Sequence, residues 1–300
     1  MQYKEWLGEW LSSSVRPVVK ERTAEAYEYA VRRQIVPTLG DYALDELSPL
    51  VLQRFAAGLC ARYAPNTVRG VVGVLRASLL RAEQTGVVAR QFGATIRLPH
   101  GREKEVACFT VTEQKQIEAY ALRHRNRKFA GFVLCLYTGL RVGELLALTW
   151  QDVDFAAGAL RVNKSCRDRW GGGYRKRIDT PKTAHSHRVI PLPAALLPLL
   201  TALRSHSKSA YVVSDANGHD VSVRSYQRSF ESMLRKLCIK HRGVHALRHT
   251  FATRALECGM DARTLAEVLG HKNPAVTLSR YAHSLQEHKS AMMDRLGELL

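Results

Sequence analysis

The chain's reactive side chains gather near its end. His245, Arg248 and His249 are spaced i, i+3, i+4, so a helix carries them on one face. His271 follows in Leu269-Gly270-His271, and Tyr281 stands ten residues later. A guanidinium fork grips an anion bidentately without titrating. An imidazole exchanges protons near neutral pH, and an activated phenol is a nucleophile. The pair His245 and His249 also has the i, i+4 spacing of a zinc helix. A zinc hydrolase of that type needs Glu directly after its first histidine, and Ala246 stands there, so no metal is expected.

Local signals place these groups on successive helices. A helix starting at His245 stops at Gly259, Asp261 caps the next, and Gly270 ends that one. Asn273 caps a third helix, with Pro274 at its first position, which carries Tyr281. Upstream, Thr138-Gly139-Leu140-Arg141-Val142-Gly143-Glu144-Leu145 brings a cation into an apolar stretch. Arg141 needs a partner there, and Glu144 lies one turn on. Three strands follow: Leu160 to Lys164, a return through Ile178, and Arg188-Val189-Ile190, with Lys182 in the tight turn before the third. Arg161 to Arg188 holds nine Lys/Arg against two Asp, a balance suited to a phosphate backbone. Ser222 to Cys238 reads as a helix presenting Arg224 and Arg228.

The rest of the chain reads as mainly α with one small antiparallel β-sheet. Residues 1–97 form a helical domain, including a helix broken at Pro37 and another capped by Ser48 with Pro49 at its first position. Residues 98–108 are a linker, and 109–284 a second domain opened by the capping box of Thr110 and Glu113. Residues 285–300 are an amphipathic tail helix. With 45 Lys+Arg against 27 Asp+Glu, the net charge of +18 favours a polyanionic partner, nucleic acid before membrane. No signal peptide opens the chain, no apolar run reaches the ~20 residues of a bilayer span, and six scattered cysteines suggest a reducing compartment.

His-Ala-Leu-Arg-His-Thr-Phe-Ala-Thr from His245, then Leu-Gly-His, then Tyr281, resembles the C-terminal signature of the tyrosine recombinases, the phage integrase family. Thr-Gly-Leu-Arg-x-Gly-Glu-Leu at 138–145 resembles its first-arginine motif, and Pro181-Lys182-Thr183 its hairpin lysine. Lys20-x-Arg22-Thr and Pro65-Asn66-Thr67-Val68 resemble its core-binding domain more loosely. The resemblance implies a catalytic set of Arg141, Lys182, His245, Arg248, His271 and Tyr281, supported by Glu144, with His249 orienting Arg248. It implies DNA contacts by Lys20, Arg22, Asn66, Thr67 and Arg69 in the first domain. In the second, the expected contacts are Lys164, Arg175, Arg177, Arg188, Arg224 and Arg228.

The implied function is an integrase that cuts and rejoins double-stranded DNA through a 3′-phosphotyrosyl link, moving a mobile element. Metal, ATP and other cofactors are not expected. The implied assembly is a homotetramer on DNA in the bacterial cytoplasm, associated with the nucleoid. The tail docks on a neighbouring protomer, and the resemblance leaves room for an excisionase or a DNA-bending accessory protein. A chromosome-dimer resolvase, a type IB topoisomerase and a non-catalytic DNA-binding protein stand as alternatives. The chain starts almost at the core-binding helix, and no arm-binding domain of the kind many mobile-element integrases carry is found within it; natural absence and trimming both fit the sequence.

Overall fold

The computed structural model describes residues 1–88, 96–99, 108–124, 127–168, 176–179 and 187–271, with Asn273, Ala275, Met293 and Gly297; within 176–179 only the Ile178 side chain is described. The chain divides into two compact units, Met1–Lys104 and Glu105–Leu300.

The first unit is helical. Helices α1 (Tyr3–Trp10), α2 (Glu21–Ala30), α3 (Val36–Leu39), α4 (Pro49–Arg62) and α5 (Pro65–Gln84) enclose a core that includes Trp6, Leu7, Ile35, Leu52, Leu59 and Leu75. The Tyr3 hydroxyl and the Trp6 indole both end on Ser78 of α5, at 2.5 and 3.1 Å, so these aromatics are buried with their polar atoms satisfied. The Ser48 hydroxyl accepts from the Val51 N–H at 3.3 Å, and Pro49 takes the first position of α4. One predicted boundary moves. Helical backbone runs past Pro37 to Leu39, after a π-helical turn at Val31–Ile35. A widened turn leaves a carbonyl without its i+4 donor, which is where a residue lacking an N–H costs least.

The second unit combines α6 (Val111–Arg123), α7 (Arg127–Thr138), α8 (Val142–Ala147), α9 (Leu197–Ser205), α10 (Val223–Lys236), α11 (His245–Glu257) and α12 (Ala262–Leu269) with short strands. Helix α7 is buried from Ala130 to Leu136 and packs between α6 and α11, as its nearly continuous apolar sequence requires. Thr110 and Glu113 cap α6 reciprocally, at 3.2 and 2.8 Å.

The sheet differs from its prediction. Strands β1 (Val153–Asp154), β2 (Ala159–Val162) and β5 (Arg188–Pro191) form one antiparallel sheet in the order β1-β2-β5, while β3 (Ser165–Asp168) and β4 (Lys176–Asp179) pair separately. The strand expected to reach Lys164 stops at Val162. Beyond it the Lys164 ammonium turns onto Asp152 Oδ2 at 2.8 Å and Thr149 Oγ1 at 3.1 Å. Gly143 lets α8 press onto β3, since a Cβ there would lie 2.6 Å from Ser165 Oγ and 2.7 Å from the Cys166 carbonyl.

The helix ends near the reactive residues follow their local signals. Cys258 caps α11 and Gly259 turns at φ +88°. The Asp261 carboxylate accepts the Arg263 and Thr264 N–H groups at 2.9 and 3.0 Å. Gly270 closes α12 in the left-handed region at φ +66°. Asn273 Oδ1 accepts the N–H of Ala275, which is helical. Among the described residues no helix is long and apolar enough to cross a membrane.

Candidate active site

The site is built on the C-terminal end of α12. A helix leaves its last four carbonyls without intrahelical donors. Here the Gly270 N–H takes the Glu267 carbonyl at 3.0 Å and the His271 N–H takes the Ala266 carbonyl at 2.9 Å. The next three carbonyls go to three guanidinium groups from distant segments. Arg188 Nε donates to Val268 O at 2.6 Å, Arg248 Nη2 to Leu269 O at 2.8 Å, and Arg141 Nη2 to Gly270 O at 3.2 Å. The negative end of the helix dipole favours this gathering of cations.

A carboxylate binds two of them together. Glu144, on the first turn of α8, accepts Arg141 Nη1 at 2.8 Å and the Arg141 backbone N–H at 2.9 Å. Its two oxygens also accept Arg188 Nη1 and Nη2 at 3.1 and 2.8 Å. Burial by itself would raise the Glu144 pKa. The bonds and charge of Arg188, then the charge and backbone N–H of Arg141, outweigh it and hold the carboxyl at about 2. Beneath it on α7, burial first and then the Glu144 charge push the Cys135 thiol up to about 12. The Arg141 side chain remains 34% exposed, so one edge faces outward.

Arg248, 3% exposed on α11, donates Nη1 to Gly139 O at 2.7 Å, and its Nη2 also lies 2.9 Å from His271 Nε2. A guanidinium keeps its protons, so His271 Nε2 accepts and the ring proton is assigned to Nδ1. Gly139 turns at φ +64°, and a Cβ on it would meet Phe251 Cδ1 at 2.5 Å. His245 is exposed one turn before Arg248, its ring edge-on to His249 with centroids 5.6 Å apart. Among the described residues no group of three or more His, Cys, Asp or Glu is placed to hold a metal.

The structure therefore brings Arg141, Glu144, Arg248 and His271 together. Lys182, Tyr281 and Arg175 lie outside the described residues, as does the Arg177 side chain on β4. Two expected DNA contacts have partners within the protein. Arg188 points inward, 6% exposed and engaged with Glu144. Lys164 is 30% exposed and paired with the buried Asp152, whose pKa stays low because Lys164 and Thr149 offset the effect of burial. Arg224 and Arg228 are exposed on α10, whose first N–H groups, those of Val223 and Arg224, bind the Asp168 carboxylate at 2.9 and 3.0 Å. In the first unit Lys20, Arg22, Asn66, Thr67 and Arg69 are all exposed, with Arg69 Nη1 donating to Asn66 Oδ1 at 3.3 Å.

Sequence reasoning missed the inward turn of Arg188, although a signal was present. Side chains alternate along a strand, so Arg188 shares a face with Ile190, which is buried, and not with Val189, which is 60% exposed. The backbone carbonyls that hold the arginines carry no signal in side-chain identity.

Comparison with known proteins places the fold and the family. A tyrosine recombinase described as XerC-like, from Caldanaerobacter subterraneus, is 28% identical over 97% of this chain and 81% of its own length. The transposase of transposon Tn916 from Enterococcus faecalis is 27% identical over 94% of this chain and 75% of its own. The integrase of the Tn1549 transposon, solved in complex with transposon right end DNA, shares the fold with a TM-score of 0.83 at 24% identity, covering 99% of this chain and 100% of that one. The phage integrase N-terminal SAM-like domain matches residues 2–60, and the phage integrase family matches 107–288, a span that holds Arg141, Arg188, Arg248, the end of α12 and Tyr281; the chain belongs to that family.

Proposed function

We propose that the protein is a site-specific DNA recombinase that cuts and rejoins duplex DNA to integrate or excise a mobile element. The observation that carries this is the convergence of Arg141 and Arg248 on adjacent carbonyls, Gly270 O and Leu269 O, with His271 at the same helix end. Fixed, non-titrating guanidinium groups so held suit the non-bridging oxygens of a phosphodiester, whose charge grows in the transition state.

The Tyr281 oxygen attacks phosphorus and forms a 3′-phosphotyrosyl link, while the bond from phosphorus to the 5′ oxygen breaks. Lys182 gives that leaving oxygen its proton, and His245 assists proton transfer at the nucleophile. His271 adds a donor to the phosphate. The nearby cations favour ionisation of a phenol whose ordinary pKa is about 10. Attack on the link by a 5′ hydroxyl of a second duplex restores a phosphodiester, so no ATP is consumed and no metal is needed. Two such exchanges require four protomers on DNA. The exposed Arg224, Arg228, Lys20, Arg22, Asn66, Thr67 and Arg69 contact the backbone, and Arg175 and Arg177 join them. The protein acts in the bacterial cytoplasm. A chromosome-dimer resolvase stands as the second reading, with which the XerC-like relative is compatible.

The test mixes the protein with labelled, nicked duplexes from candidate element ends in EDTA, followed by a denaturing gel. Wild type shifts the label to protein mass, and Tyr281→Phe does not. A shift in both variants rejects Tyr281 as nucleophile. Loss of the adduct in EDTA with recovery in Mg²⁺ rejects the metal-free mechanism.

A further inference from the structure

We infer that Arg188 is a positioning residue, one side chain that fixes Arg141 through Glu144 and fixes the end of α12 that carries His271. The inference rests on the recombinase reading above. The Arg188 side chain is 6% exposed, so its role is internal. Its fork meets both Glu144 oxygens, and the same guanidinium donates Nε to Val268 O at 2.6 Å. A buried ion pair needs only the carboxylate. The added bond to a helix-end carbonyl joins that pair to a second element.

Arg188 also packs against the turn before His271. A Cβ on Gly270 would lie 3.0 Å from Arg188 Nη1. In addition Arg188 opens β5, the strand that returns six residues after Lys182. Three segments far apart in sequence, 141–144, 188–191 and 268–271, are thus tied by one planar fork. Lysine offers a point charge on a flexible stem and cannot make the bidentate bond and the carbonyl bond together.

The test compares wild type, Arg188→Met, Arg188→Lys and the neutral pair Arg188→Met with Glu144→Gln, which leaves no unpaired carboxylate if the single variant folds poorly. Single-turnover adduct formation on a nicked duplex is read against DNA affinity, across pH. Charged or titratable groups facing Glu144 are Arg141 from the turn before α8, Arg188 from β5 and Cys135 from α7. The expected result for Arg188→Met is a cleavage rate lower by about 100-fold, the scale of a small misplacement of reacting groups, with affinity changed less than about threefold. Its rate should fall off at a higher pH on the acid side than wild type, because Glu144 has lost a cation, and Arg188→Lys should recover part of the rate. Cleavage within twofold of wild type, or parallel loss of cleavage and affinity with an unmoved acid limb, overturns the proposal. Hydrogen exchange at the Gly270 and His271 amides gives a readout without activity. Faster exchange in Arg188→Met supports the anchoring and unchanged exchange overturns it. A wild type that forms no adduct sinks the recombinase reading, and this exchange result still decides the anchoring.

Discussion

The two units use positive charge in opposite ways. In the first, Lys20, Arg22 and Arg69 stand exposed at the starts of helices, and the core beneath them is mostly apolar, with Tyr3 and Trp6 satisfied on Ser78. In the second, Arg188 and Arg248 are buried and Glu144 with them, each bonded to backbone carbonyls or to one another. Exposed charges act separately and are screened by salt. Buried ones form a network in which losing one member leaves another desolvated and unpaired. Damage should therefore be graded and salt-dependent in the first unit, and steep in the second.

The steepest expected effect comes from Arg248→Ala. It removes a cation proposed to hold the phosphate and leaves the Gly139 and Leu269 carbonyls without that donor. Single-turnover cleavage should fall by roughly 10²–10³-fold, as for loss of one oxyanion donor. Cleavage at the wild-type rate would break the comparison at its centre.

Glu144→Gln should cost roughly 3–5 kcal/mol at neutral pH, read by urea denaturation, since two guanidinium groups lose one carboxylate. The pH dependence has a definite sign. The Glu144 pKa falls from 4.5 to about 2 on folding, so its contribution is complete above 4.5 and disappears as pH drops toward 2. The gap between wild type and Glu144→Gln should narrow over that window. A constant gap would mean that Glu144 acts through shape and not through charge.

Gly143→Ala tests the platform beneath the network. Its Cβ would meet Ser165 Oγ and the Cys166 carbonyl, so α8 must lift from β3. A loss of about 1–3 kcal/mol is expected by thermal or denaturant unfolding, with slower cleavage because Glu144 moves with the helix. The mildest case is Arg22→Ala in the first unit. Stability should stay within about 0.5 kcal/mol. If Arg22 makes its proposed phosphate contact, DNA affinity should weaken modestly and the slope of log affinity against log salt should shrink by about 0.9. A steep loss of stability there would show that the surface cations are also structural.

The sequence was most legible where the responsible physics is local. Ser48, Thr110 and Asp261 cap their helices because a short polar side chain reaches N–H groups two or three residues away. Gly270 ends α12 because a left-handed residue is needed there and glycine adopts it without strain. Those same local rules brought His245, Arg248 and His249 onto one helix and put His271 directly after the next. Strand pairing was less legible. Which strand joins β2 depends on chain remote in sequence, and that strand ends two residues early, where Lys164 pairs with Asp152.

What the sequence determined by itself was most of the helix ends among the described residues and the residue types able to hold and attack a phosphodiester, because capping, periodicity and side-chain chemistry act over a few residues. What only the tertiary structure decided was the destination of each guanidinium. Arg141, Arg188 and Arg248 look alike as letters. One keeps an exposed edge and two are buried, according to which carbonyls α12 presents and where Glu144 sits. That choice is made by the desolvation of charge, which depends on everything packed around a side chain and on nothing in its own local sequence.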